Sequence, residues 1–258
     1  FGASFATVLA QLIAFLLCLR SLRRLPFVQL TKADWKTDPA ILLHLCRLGI
    51  PTGLQMSMIT LGGMVLQSVL NGFGVVFVAG YTAANKLYGI LESASVAFGY
   101  AMTAYMGQNR GARNAARIDA GIRAVLVLSA EFTAAIVTAM LLAGKPLLGL
   151  FLSTEEAGAA DALAVAYQYL MVLMAFLFAL FMLQAYRSSL QGLGEMTVPT
   201  LSGFAEMLMR MGAALVLPTF IGRSGVFFAE GAAWVCAAAL NLVWYYMRIG
   251  KIKRDMLK

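Results

Sequence analysis

Arg47-Leu48-Gly49-Ile50-Pro51-Thr52-Gly53-Leu54-Gln55-Met56-Ser57 opens an apolar run that continues to Leu70. From Ile50 to Leu70 the run carries no formal charge. As a helix rising about 1.5 Å per residue it spans roughly 30 Å, the thickness of a bilayer's hydrocarbon. Pro51 is read as near the helix start, where its missing N–H matters least. Gly49, Gly53, Gly62 and Gly63 offer room for close helix contact or bending. Gln55, Ser57, Thr60, Gln67 and Ser68 bring hydrogen-bonding groups to membrane depth, where each needs a partner or water. A helix that only anchors has no use for them, so this one is expected to face a polar cavity or another helix.

Composition extends that reading to the whole chain. Of 258 residues, 61% are hydrophobic and 12% charged, with a mean hydropathy of +0.80. A water-soluble domain has about 25% charged residues. The expected class is an all-α membrane protein with seven transmembrane helices. The segments are about Ala3–Leu19, Ile41–Leu70, Val75–Met106, Ala124–Ala143, Leu163–Tyr186, Val198–Phe220 and Val226–Met247. The connection Gly144–Asp161 is read as a loop able to form a short surface helix. The chain starts on Phe1, close to an apolar segment, and we expect a longer parent.

The net charge of +8 invites a nucleic-acid reading, and its distribution argues against one. Sixteen of the 20 basic residues fall in the first, third and fifth connections or in the C-terminal tail. Lys145 and Arg223 alone mark the opposite face. That asymmetry places the basic loops and the C-terminus in the cytoplasm, facing anionic headgroups of a plasma or inner membrane. Cys18, Cys46 and Cys236 read as small buried hydrophobes without metal spacing. One histidine, His44, supports no zinc site. No metal, cofactor or nucleic-acid partner is expected.

Four stretches, in order, resemble a known family. They are Gly49–Ser57, Ala79–Lys86, the run Gly107-Gln108-Asn109-Arg110-Gly111-Ala112, and Arg187-Ser188-Ser189-Leu190-Gln191-Gly192-Leu193-Gly194 with Pro199 beyond it. This series resembles the second half of a multidrug and toxic compound extrusion (MATE) transporter. The resemblance implies two six-helix lobes that share a cleft and alternate between inward and outward openings. Residues 1–20 are then the last helix of the N-terminal lobe and 21–46 the cytoplasmic linker. Residues 47–250 form a six-helix C-terminal lobe, and 251–258 a basic cytoplasmic tail. Implied too are a missing N-terminal lobe, amphipathic small-molecule substrates, and coupling to H⁺ or Na⁺. Some branches of the family carry a coupling carboxylate on the helix opened by the Pro51 motif. Ile50–Leu70 has none.

The candidate cleft-lining residues are Gln55, Gln67, Asn71, Asn85, Lys86, Glu92 and Glu131. Asn85 and Glu92 are seven apart and share a helix face; they line the cleft or brace two helices. Lys86 is offset from Asn85 by roughly 100° and either lines the cleft or snorkels outward. Glu131 has no partner on its own helix. Gln67 and Asn71 are neighbours at i, i+4. Glu206 and Arg210 have the spacing and order of an intrahelical ion pair. Arg187 reads as an anchor to carbonyls or headgroups. Motif or structural roles are assigned to Pro51, Gly53, Gly107, Gln108, Asn109, Gly111, Arg187, Gln191, Gly192, Glu206 and Arg210.

Three other functions compete. A flippase for lipids or lipid-linked precursors needs clustered bases in its cleft, and Lys86 and Arg210 are the intramembrane cations here. A retinal-type seven-helix receptor needs a lysine within the last span, which has none. An intramembrane protease needs a nucleophile and base at one depth. With no phosphate-binding loop, the chain is read as a secondary transporter and no enzyme.

Overall fold

The computed structural model describes residues 2–24, 36–152 and 158–257. Among them seven α-helices follow in order: α1 Gly2–Leu22, α2 Pro39–Asn71, α3 Val75–Gly111, α4 Ala115–Gly149, α5 Ala159–Gly192, α6 Thr197–Ile221 and α7 Phe228–Leu257. A 3₁₀ turn, Arg223–Phe227, precedes α7. All but α3 are apolar enough over an 18-residue window to cross a membrane. In lipid, backbone groups must be satisfied within the segment, so apolar runs of this length become helices.

The chain divides into two compact units, 1–47 and 48–258. In the first, α1 is apolar around its whole circumference, as a membrane span is. Asp38 Oδ1 accepts from the Ala40 N–H at 2.8 Å and starts α2 earlier than its hydropathy indicates. The helix thus begins two residues before the expected Ile41, and residues 25–35 of the expected 21–46 linker lie outside the described residues. The early start also puts Pro51 inside the helix, not near its beginning. Cys18 and Cys46 are exposed and Cys236 half-buried, so none is the buried hydrophobe expected.

In the second unit α5 is the central helix, packed against α3, α4 and α7, while α6 packs on α7. Contact between α3 and α5 is close at both ends. A β-carbon on Gly80 would lie 2.4 Å from the Ala162 carbonyl oxygen, and one on Gly192 would lie 2.4 Å from that of Thr103. Two apolar clusters follow one another along the bundle. The first centres on stacked rings, with Tyr81 and Tyr169 at 4.4 Å and Phe77 and Phe227 at 5.3 Å. The second joins Met102, Met106, Ile118, Ile122, Tyr186 and Tyr245.

Two expected connections are helix instead. Helix α4 continues through Pro146 to Gly149, so the first third of the Gly144–Asp161 loop is its last turns; 153–157 lie outside the described residues. The expected tail is the end of α7, held by a Lys253–Asp119 ion pair to α4 and by buried Met256.

Candidate substrate cavity

Three helices place ionisable side chains at one depth in the second unit. On α6, Glu206 and Arg210 sit one turn apart, and Arg210 Nη2 donates to Glu206 Oε1 at 3.0 Å. From α5, Arg187 Nη2 donates to the other oxygen, Glu206 Oε2, at 2.5 Å. From α7, Glu230 Oε2 accepts from Arg210 Nε at 3.0 Å. The result is an alternating chain, Arg187–Glu206–Arg210–Glu230. Arg210 Nη1 also reaches α2, donating to the Ile59 carbonyl at 3.1 Å. Low dielectric makes each partner costly to lose, while the intact chain offers little net stability over apolar packing.

Around this chain lies a cavity of about 590 Å³, lined from α2, α3, α5, α6 and α7. On its α2 side, Gln55 Oε1 accepts from Gln191 Nε2 at 3.0 Å. Gly203 permits that approach, since a β-carbon there would lie 2.7 Å from Gln55 Cγ. The α3 side supplies Asn85, Tyr88, Glu92, Gly99 and Thr103. Tyr88 stacks on Trp234 of α7 at 5.5 Å, giving the cavity an aromatic wall. The charged lining is Glu92, Arg187, Glu206, Arg210 and Glu230. The lining therefore carries three carboxyl groups against two guanidinium groups. Glu92 stands outside the four-membered chain.

Of the residues expected in a cleft, Gln55, Asn85 and Glu92 line this cavity. The other four do not. Gln67 lies twelve residues after Gln55, roughly a third of a turn round α2. There its Nε2 donates to Asn71 Oδ1 at 3.0 Å, both exposed. Lys86 is exposed and points away from the Asn85 face. Glu131 is exposed on α4, which contributes nothing to the lining because it packs behind α3 and α5. Conversely, Arg187, Gln191, Glu206 and Arg210, read as structural, all line the cavity. Arg187 is buried on a carboxylate, not anchored to headgroups. Glu230, Tyr88 and Trp234 were not singled out as site residues. Glu230 was traceable by charge balance. Arg187 and Glu230 have no local partner, whereas Glu206 and Arg210 supply one opposite charge to each.

The motif residues have mechanical roles. Arg110, from Gly107-Gln108-Asn109-Arg110-Gly111, donates to the Leu193 carbonyl just past α5, tying the two glycine-bearing runs together. Gly194 has φ +73°, and a β-carbon there would strike Arg110 Nη1 at 2.4 Å. Gly107 sits over the Gly192 carbonyl. Asn109 is buried and donates to the Tyr105 carbonyl at 2.8 Å, whereas Gln108 and Gly111 are exposed. The Pro51 carbonyl accepts from Thr200 Oγ1 at 3.2 Å. A β-carbon on Gly53 would meet nothing within 4 Å, so no close helix contact depends on that glycine; one on Gly62 would lie 3.2 Å from Met207 Cα.

The sequence profile of the MatE family matches residues 51–216. The chain belongs to the MATE family. Among MATE relatives, the probable multidrug resistance protein YpnP of Bacillus subtilis is 30% identical over 259 residues. That match covers 98% of this chain and 55% of YpnP. Probable multidrug resistance protein YoeA of the same organism is 26% identical, with the same coverage. The chain thus spans about half the length of these relatives. The fold matches a crystal structure of MATE in complex with MaL6, with a TM-score of 0.88 and 23% identity, over 98% of this chain and 57% of that one. A MOP superfamily transporter from Pyrococcus furiosus matches with the same score, identity and coverage. The protein is a multi-pass membrane protein with a MATE-type lobe.

Proposed function

We propose that this chain is the C-terminal half of a secondary active multidrug exporter. Residues 47–250 are one lobe, 1–20 the last helix of the other, 21–46 the cytoplasmic linker and 251–258 the cytoplasmic end. The observation that carries the reading is the open cavity with surplus carboxylate beside an aromatic wall. Such a site attracts amphipathic cations: carboxylates attract the charge and ring faces accept it. Export against a gradient needs a second ligand with opposite preference between the inward and outward states. That ligand is H⁺ or Na⁺, entering as the substrate leaves a plasma or inner membrane. Acids outnumber bases in the lining, which disfavours the flippase reading, since a pyrophosphate needs the reverse.

The test is efflux of a cationic dye such as ethidium from cells expressing the full-length parent. Faster loss, abolished when the ion gradient is collapsed, is the expected result. Dye loss that survives gradient collapse but stops on ATP depletion sinks the proposal. Glu92→Gln is expected to slow efflux while leaving yield and monodispersity unchanged.

A further inference from the structure

The four members of the buried ion chain are not equivalent. Glu206 is fully claimed: Arg187 holds one oxygen and Arg210 the other, and its side chain is 4% exposed. Glu230 has one basic partner, Arg210, at 2.8 Å, and its side chain is 16% exposed at the cavity. Arg210 is satisfied three ways, by Glu230, by Glu206 and by the Ile59 carbonyl. If Glu230 loses its charge or takes another cation, Arg210 still keeps a carboxylate and a carbonyl. Loss of Glu206 would leave Arg187 without its carboxylate and Arg210 with Glu230 alone. The chain therefore has one end from which a charge can be exchanged at low cost.

Resting on the exporter reading above, we propose that Glu230 is the residue of this lobe that binds the coupling cation, and that Arg210 reports its occupancy to α2. With the site empty of external cation, Arg210 neutralises Glu230. A proton or a sodium ion on Glu230 takes over that task. The guanidinium then belongs wholly to Glu206 and to Ile59 of α2. The device is reciprocal: whatever pulls Arg210 toward α2 raises the affinity of Glu230 for a cation. Substrate cation and coupling cation compete for the same excess of negative charge, which gives exchange its direction.

The charged and titratable groups around Glu230 come from each helix packed near it. Helix α6 presents Arg210 and Glu206, and α5 presents Tyr169 with Arg187 behind Glu206. Helix α3 presents Glu92, Tyr88 and Tyr81. Arg210 is the one cation in direct contact with Glu230 among the described residues.

The experiment uses the full-length parent in proteoliposomes. Glu230→Gln is expected to weaken substrate-cation binding to the level the wild type shows at low pH or high sodium, to make that binding independent of pH and sodium, and to lower gradient-driven export more than tenfold. Unchanged export with unchanged cation dependence overturns the proposal, while the exporter reading stands. Export by neither parent nor variant removes the exporter reading itself. A second measurement does not depend on the variant folding. The wild-type protein is treated with the apolar reagent dicyclohexylcarbodiimide, which adds to protonated carboxyls in the membrane, and the adduct is located by mass spectrometry. Labelling is expected at Glu230 and not Glu206, at least fivefold reduced by added sodium or by raised pH. Equal labelling of both, or labelling of Glu230 that no cation suppresses, overturns the assignment.

Discussion

Replacing Gly192 by alanine tests whether the two glycine-bearing runs act by letting backbones touch. A β-carbon there would lie 2.4 Å from the Thr103 carbonyl oxygen and 3.0 Å from Met106 Cβ. Carbon rests on a carbonyl oxygen at about 3.3 Å, so α3 and α5 must part by about 0.9 Å. Neither obstacle is the free end of a flexible side chain. Overpacking of this kind costs about 1–3 kcal/mol. Alanine's better helix propensity returns at most about 1 kcal/mol, and less at the last residue of a helix. The net loss is about 1–2 kcal/mol, equivalent to a fall of roughly 1–4 °C in melting temperature for a parent of the relatives' length. The assay is thermal unfolding of the purified full-length parent in detergent. Gly212→Ala is the control, because nothing lies within 4 Å of a β-carbon there. It is expected to melt at or above the wild-type temperature. If Gly192→Ala melts no lower than Gly212→Ala, the close-contact account of this motif is wrong.

Arg187→Met removes one of the two cations on Glu206, and breaking a buried pair costs about 3–5 kcal/mol. Because Arg210 remains at 3.0 Å, a loss near the lower bound is expected. Adding Glu206→Gln to Arg187→Met should then cost much less than it does alone, and strictly additive losses in melting experiments would deny the coupling. Glu131→Gln is expected to leave dye efflux unchanged, since α4 contributes nothing to the cavity lining; reduced efflux at normal expression would return Glu131 to the transport path. Gln67→Leu severs an exposed hydrogen bond to Asn71, and its effect on stability should stay within about 0.5 kcal/mol.

The helices were legible from residue order, and their ends were not. Asp38 starts α2 and Pro146 continues inside α4 at positions where hydropathy alone reads loop. The i, i+4 pairs, Glu206–Arg210 and Gln67–Asn71, were legible as well, because helix geometry alone sets them. The cavity was half legible. Asn85 and Glu92 share a face by spacing, but the spacing does not say what that face meets. Glu131 and Glu92 look alike in sequence, each an acid within an apolar run. Only the placement of α4 behind α5 separates them.

By itself, the order of residues determined an all-helical membrane protein, its family, and a set of polar groups at membrane depth. Hydrocarbon surrounds the bundle, so a backbone crossing it has no choice but to satisfy itself. Tertiary packing decided which of those polar groups meet. Arg187 finds Glu206, Arg210 finds Glu230, and Gln191 finds Gln55 across 136 residues. In water, an apolar stripe betrays a helix's inward face. In lipid both faces are apolar, so the rotation of each helix, and with it the partner of every buried charge, is set only when the neighbours are in place.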